Sequence, residues 1–151
     1  MNEKSPSRNR NTGLRRPSVI GWLHLLRISH RVLQAAASQL SSWNLSNAQF
    51  DVLSQVGAAE GISQLDLAKR LFVTQGNITQ LLDKMEARGL IRRMPEGRTK
   101  RLYLTPTGRQ LFDEVVPFNQ DFIAAQFSGL TPDEQRQLAH LLAKLDRLQR
   151  K

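Results

Sequence analysis

The 151-residue chain is predicted to be mainly α with a small β-wing. Three observations predict this. Residues 63–89 show apolar positions at helical spacing on both sides of a short break. Residues 90–105 read as two short strands around a Pro and Gly turn, with many cations. Both ends of the chain carry long helical patterns whose apolar stripes are wide.

The elements follow in order. Residues 1–17 are polar and basic, with no apolar period, and are expected to form a flexible tail. Ser18 can cap a first helix running through about residue 42. Its apolar positions include Val19, Ile20, Trp22, Leu23, Leu26, Ile28, Leu33 and Leu40, too many for one packed face. Residues 18–45 are therefore assigned to dimerisation. Ser46 and Gln49 form a capping-box pattern for a helix through about residue 59, with Phe50, Leu53 and Val56 as its core positions. Residues 60–62 make a turn and one short strand.

Ser63 caps the next helix, in which Leu65, Ala68 and Leu71 form a small apolar face. Phe72 and Val73 make the turn, and Thr74 caps the helix that follows. That helix buries Ile78, Leu81, Leu82 and Met85, and Gly89 ends it. Residues 90–94 and 100–105 are the strands, with Pro95, Glu96 and Gly97 turning between them. Thr105 and Pro106 open a long helix through about residue 127, which Pro117 is expected to kink or divide. Thr131, Pro132 and Glu134 repeat the start signal. Leu138, Leu141, Leu142, Leu145 and Leu148 then follow at coiled-coil-like spacing. Residues 46–108 thus read as a winged helix-turn-helix, and 109–151 as C-terminal dimerisation helices.

In a helix-turn-helix the second helix enters the DNA major groove. With Ile78 turned inward, a 100° step per residue turns Gly76, Gln80, Asp83 and Ala87 outward, flanked by Asn77, Thr79 and Lys84. Asn and Gln amides can pair with the N6 and N7 groups of adenine. An outward Gly76 allows close approach to the groove floor. Asp83 does not suit a phosphate-facing surface and is expected clear of the backbone or paired with a basic neighbour. The candidate DNA contacts are Ser63, Arg70, Thr74, Gln75, Gly76, Asn77, Thr79, Gln80, Lys84, Arg98, Lys100 and Arg101.

The net charge of +9 is concentrated. Residues 1–16 hold Lys4, Arg8, Arg10, Arg15 and Arg16 against Glu3 alone. Residues 84–101 hold Lys84, Arg88, Arg92, Arg93, Arg98, Lys100 and Arg101 against Glu86 and Glu96. These two stretches carry the whole excess, and a basic wing beside such a helix suits phosphate. The chain has no Cys, which excludes disulfides, thiolate metal sites and thiol redox sensing. No apolar run approaches a membrane span, and His24, Arg27, His30 and Arg31 interrupt the one stretch resembling a signal peptide. A cytoplasmic protein is expected. His24 and His30, six apart, fall on different helix faces and do not make a metal pair. No catalytic constellation or phosphate loop stands out, so neither an enzyme nor a cofactor is expected. The competing reading is a non-specific architectural DNA-binding protein, which would rely on charge alone.

The chain resembles the MarR-type transcription regulators, the multiple-antibiotic-resistance regulator family. The resemblance rests on LSNAQFDVL at 45–53, LAKRLFVTQGNITQLLDKMEARGLIRR at 67–93 and LTPTG at 104–108. The family's wing pattern, Asp-x-Arg-Asn/Asp-x-Arg, appears as Glu96, Gly97, Arg98, Thr99, Lys100 and Arg101, with Arg98 and Arg101 matching and Thr99 departing. The resemblance implies that the terminal helices of two subunits interdigitate, and that the dimer binds a double-stranded, pseudo-palindromic operator. It further implies a repressor released by a small aromatic or anionic effector bound between the two domains. Trp22, His30, Trp43, Phe50 and Phe118 are the candidates to border that pocket.

Overall fold

The computed structural model describes residues 16–150, which form six α-helices and three short strands, in the order helix, helix, strand, helix, helix, strand, strand, helix, helix. The expected N-terminal tail lies almost wholly outside the described residues. The chain divides into two units, 1–35 and 36–151. Helix α1 (Pro17–Leu40) supplies the described part of the first unit and its last turn begins the second. It starts at Pro17, not after Ser18. The amides of Val19 and Ile20 donate to the Arg16 carbonyl at 2.9 and 3.1 Å, and a proline at the first helical position needs no donor of its own. Along the helix Ile20, Trp22, Leu26, Ile28 and Leu33 are exposed, whereas Ala36 and Leu40 are buried. A 3-10 turn (Ser41–Trp43) follows, closed by Asn44 at φ 53.

In α2 (Asn47–Ala58) the capping box is complete. The Ser46 hydroxyl accepts from the Gln49 amide at 3.1 Å, and the Gln49 side chain accepts from the Ser46 amide at 3.0 Å. Val52, Leu53 and Val56 have no solvent exposure, while Phe50 lies half-buried against the same core. Strand β1 (Ile62–Ser63) leads directly into α3 (Gln64–Arg70), which Ser63 caps by accepting from the Asp66 amide. Here the expected inward face is corrected. Leu67 and Ala68 are buried, and Leu65 is 47% exposed. Two residues turn a helix by about 200°, so a helix that seats Leu67 must swing Leu65 outward.

Helix α4 (Gln75–Ala87) buries Ile78, Leu82 and Met85 completely. Gly89, at φ 69, closes it. The Gly89 amide donates to the Glu86 carbonyl and the Leu90 amide to the Met85 carbonyl, the paired bonds of a Schellman motif. Strands β2 (Ile91–Glu96) and β3 (Thr99–Leu104) pair antiparallel from Ile91 opposite Leu104 to Glu96 opposite Thr99. The turn is therefore the two residues Gly97 and Arg98, not Pro95 to Gly97. Gly97 has φ 60, which a two-residue hairpin asks of its first position. Pro95 sits within β2, opposite Lys100. The sheet order is β1-β3-β2, so β2 is an edge strand and can carry a residue without an amide donor.

Helix α5 (Pro106–Gln126) passes through Pro117 without being divided. Its start is pressed against the strand entrance. The Thr105 amide donates to the Leu90 carbonyl at 3.1 Å and the Thr105 hydroxyl to the Gly89 carbonyl. A Cβ on the buried Gly108 would lie 1.9 Å from the Leu90 carbonyl oxygen. Helix α6 (Pro132–Gln149) has the expected capping box between Thr131 and Glu134, and its Leu141, Leu142, Leu145 and Leu148 are exposed. No helix among the described residues is long and apolar enough to cross a membrane.

The Gly108 contact is with backbone, so no side chain can move aside to admit a methyl group. Gly108→Ala should lower unfolding stability by about 1–3 kcal/mol, the usual cost of overpacking. Urea unfolding checks this; an unchanged midpoint would mean that α5 can lift off the strand freely.

Candidate nucleic-acid interface

The interface is built around α4. Thr74 caps it by accepting from the Asn77 amide at 3.2 Å. The Thr79 hydroxyl donates to the Gln75 carbonyl at 2.8 Å and accepts from the Gln64 side-chain amide at 2.9 Å. Thr74 and Thr79 thus spend their hydroxyls inside the fold, Thr74 on the start of α4 and Thr79 in binding α4 to α3. Ser63 likewise is buried and spends its hydroxyl on α3. The exposed side chains of the same turns are Gln75, Asn77 and Gln80, an uncharged face rich in amides. Gly76 stands between them, and no atom lies within 4 Å of where its Cβ would be. Packing within this chain therefore does not demand glycine there.

The basic stretch is thinner in the structure than in the sequence. At the end of α4, Arg88 donates to the Asn44 carbonyl at 2.6 Å and the Trp43 carbonyl at 3.3 Å. Arg93 pairs with Asp83 and, at 2.6 Å, with Glu86. Partial burial pulls the Arg93 pKa down, but hydrogen bonds and charge from Glu86 and Asp83 outweigh it and leave it above the ordinary arginine value. Asp83 has the basic partner its position required. Arg101 pairs with Glu96 and reaches the Gly61 carbonyl at 3.2 Å, tying the wing to the loop before β1. Arg92 lies over the Tyr103 ring, 5.5 Å from its centroid. What remains unpaired among the described residues of this stretch is Lys84, Arg98 and Lys100.

Arg98 and Lys100 border a cleft of about 590 Å³ with Gln64, Leu65, Gln75, Thr79 and Thr99. The cleft runs between the wing tip and the start of α4. Gln64, not singled out from the sequence, and Leu65, read there as core, border it because α3 follows β1 without a loop. Arg70, at the far end of α3, reaches the Gln55 side chain at 3.4 Å.

Of the five candidate pocket residues, Trp22 and His30 belong to the first unit and Trp43, Phe50 and Phe118 to the second. Trp43 and Phe118 meet edge to face with ring centroids 4.8 Å apart, and the Trp43 indole donates to Glu114 at 2.9 Å. Phe50 packs on the core of the second unit. Trp22 and His30 are exposed on α1. Glu114 carries no sequence signal of its own; only the approach of α5 to the 3-10 turn reveals it.

Comparison with known proteins agrees with this geometry. A family model described as the MarR family matches residues 43–102. A transcriptional regulator of the helix-turn-helix type from Bacillus cereus is 33% identical over 134 residues, covering 86% of this chain and 91% of its own. The regulator PecS of Dickeya dadantii is 31% identical, covering 87% of this chain and 80% of its own. Among solved structures, the S. aureus MepR–DNA complex superposes with a TM-score of 0.74 at 30% identity, covering 83% of this chain and 96% of that one. MarR from E. coli superposes with a TM-score of 0.70 at 28% identity, covering 83% and 96%. The winged helix-turn-helix built around α4, matched across nearly the whole chain by such relatives, makes this protein a member of the MarR family of transcriptional regulators.

Proposed function

We propose that the chain acts as a homodimer that binds a pseudo-palindromic operator in double-stranded DNA and represses transcription until a small effector releases it. One observation carries the sequence-specific part. The exposed face of α4 offers amides, Gln75, Asn77 and Gln80, where a binder driven by charge alone would place cations. Lys84, Arg98 and Lys100 flank that face and are suited to phosphates. MepR, similar along most of its length, was solved with DNA. The cytoplasmic location expected from the sequence goes with this reading.

Dimerisation is supported by the apolar surface left on the terminal helices. Leu141, Leu142, Leu145 and Leu148 of α6 and Ile20, Trp22, Leu26, Ile28 and Leu33 of α1 are all exposed in the single chain. Exposure of that many large apolar side chains is unusual unless a partner covers them. Segments 18–45 and 109–151 are accordingly read as the dimerisation elements, and 46–108 as the DNA-binding region.

An effector site is supported by the ring pair of Trp43 and Phe118. Through the Trp43 carbonyl, that pair is joined to Arg88 at the end of α4. A small aromatic or anionic molecule that disturbs Trp43 would pull on the helix that reads DNA.

Sedimentation equilibrium at micromolar concentration should give twice the 17.1 kDa chain mass; a clean single-chain species would exclude the dimer. Gln80→Ala should cost about 1–3 kcal/mol of discrimination on the preferred operator and leave random duplex nearly untouched. Equal weakening on both, titrated at one salt concentration, would mean that Gln80 does not read bases. Replacing Arg98 and Lys100 together by Ala should weaken both duplexes. It should also flatten the slope of log affinity against log salt by about 0.9 for each phosphate no longer neutralised. An unchanged slope would take the wing off the backbone.

A further inference from the structure

The turn between α3 and α4 holds a residue that the fold itself does not favour. Phe72 has φ 54 and is 86% exposed. Its amide donates to the Lys69 carbonyl at 3.3 Å, and the Val73 amide donates to the Ala68 carbonyl at 3.1 Å. These are the two bonds of a Schellman motif, and Phe72 stands where Gly89 stands at the end of α4. Glycine enters that left-handed conformation freely, whereas a bulky side chain is strained in it. The ring gains almost no burial in return.

The surroundings indicate what the ring is for. Phe72 borders a cleft of about 480 Å³ with Gln55, Lys69, Arg70 and Arg150. No carboxylate among the described residues borders it. Arg150 pairs with Asp146, while Lys69 and Arg70 make no ion pair among the described residues. An exposed aromatic ring among cations suits a polyanion with apolar surface between its charges, as a sugar-phosphate strand has. Phe72 also lies only two residues before Thr74, the cap of α4, so it stands within about 7 Å of chain from the helix start.

We infer that Phe72, with Lys69 and Arg70, forms a further DNA-backbone contact at the mouth of the groove that α4 enters. The ring packs on a deoxyribose face, and the two cations take flanking phosphates. The inference rests on the reading of α4 as the DNA-reading helix and adds Phe72 and Lys69, which the sequence pattern did not single out for DNA, to Arg70, which it did.

Phe72→Gly isolates the ring, because glycine is favoured at this φ and no packing is lost. Thermal unfolding of the variant should be unchanged or higher, and its sedimentation the same as that of the unaltered protein. Affinity for operator and random duplex should fall together by about tenfold, equivalent to about 1.4 kcal/mol. The salt slope should not change, since the ring carries no charge. Phe72→Trp should bind as the unaltered protein does. Replacing Lys69 and Arg70 by Ala should, in contrast, flatten the slope by about 0.9 for each phosphate left without its cation. Unchanged affinity in Phe72→Gly would overturn the inference while leaving the recognition reading standing. Loss on the operator alone would make the ring a base reader, and loss of the dimer would make it a protein contact; either overturns the proposal. Failure of the unaltered protein to bind any duplex would overturn the recognition reading and this inference together.

Discussion

Three side chains with no solvent exposure, Ile78, Leu82 and Met85, decide which way α4 faces. Burying each is worth about 1.5–3 kcal/mol, and together they leave the helix one rotation about its axis. That rotation turns Gln75, Asn77 and Gln80 outward and sets Asp83 beside Arg93. The ends of the helix are held as firmly. Thr74 and the bond between Gln64 and Thr79 secure its start, and Gly89 and Arg88 secure its finish. A helix so fixed presents its amides without further ordering on contact, which lowers the entropy cost of binding.

Charge is divided between holding the fold and facing outward. Arg88, Arg93 and Arg101 join α4 and the wing to their neighbours by hydrogen bonds and ion pairs. Lys84, Arg98 and Lys100 are left to set the outward potential. This division matters because a guanidinium held by a carboxylate offers a phosphate little. The electrostatic term in DNA affinity should therefore follow the unpaired cations and not the count of arginines.

The two clefts beside α4 complement this. One lies between its first turns and the wing tip, bordered by Arg98 and Lys100; the other lies at the turn before it, bordered by Lys69, Arg70 and Phe72. Both combine cations with exposed apolar surface, from Leu65 in the first and Phe72 in the second. That combination suits deoxyribose between phosphates better than either feature alone.

The order of elements is legible in the amino-acid sequence alone, because their start and stop signals are local. Capping at Ser46, Thr74, Thr105 and Thr131 needs only the next three residues, and Gly89 ends α4 by its own backbone freedom. The three-four spacing of Ile78, Leu82 and Met85 likewise reveals the inward face of α4. Register and pairing are not legible in this way. The wing turn falls at Gly97 and Arg98 because β2 and β3 pair from Ile91 and Leu104 outward, and their alignment is a matter of two strands together. Leu65 reads as core in the sequence because a seven-residue helix is too short for periodicity to choose between adjacent faces. Only packing against the sheet and α4 chooses Leu67. Which arginines stay open to a partner is likewise a matter of tertiary structure, since Asn44, Glu96 and Asp83 reach them by folding. A sequence counts charges, but only the fold brings a cation and its acceptor within hydrogen-bonding distance.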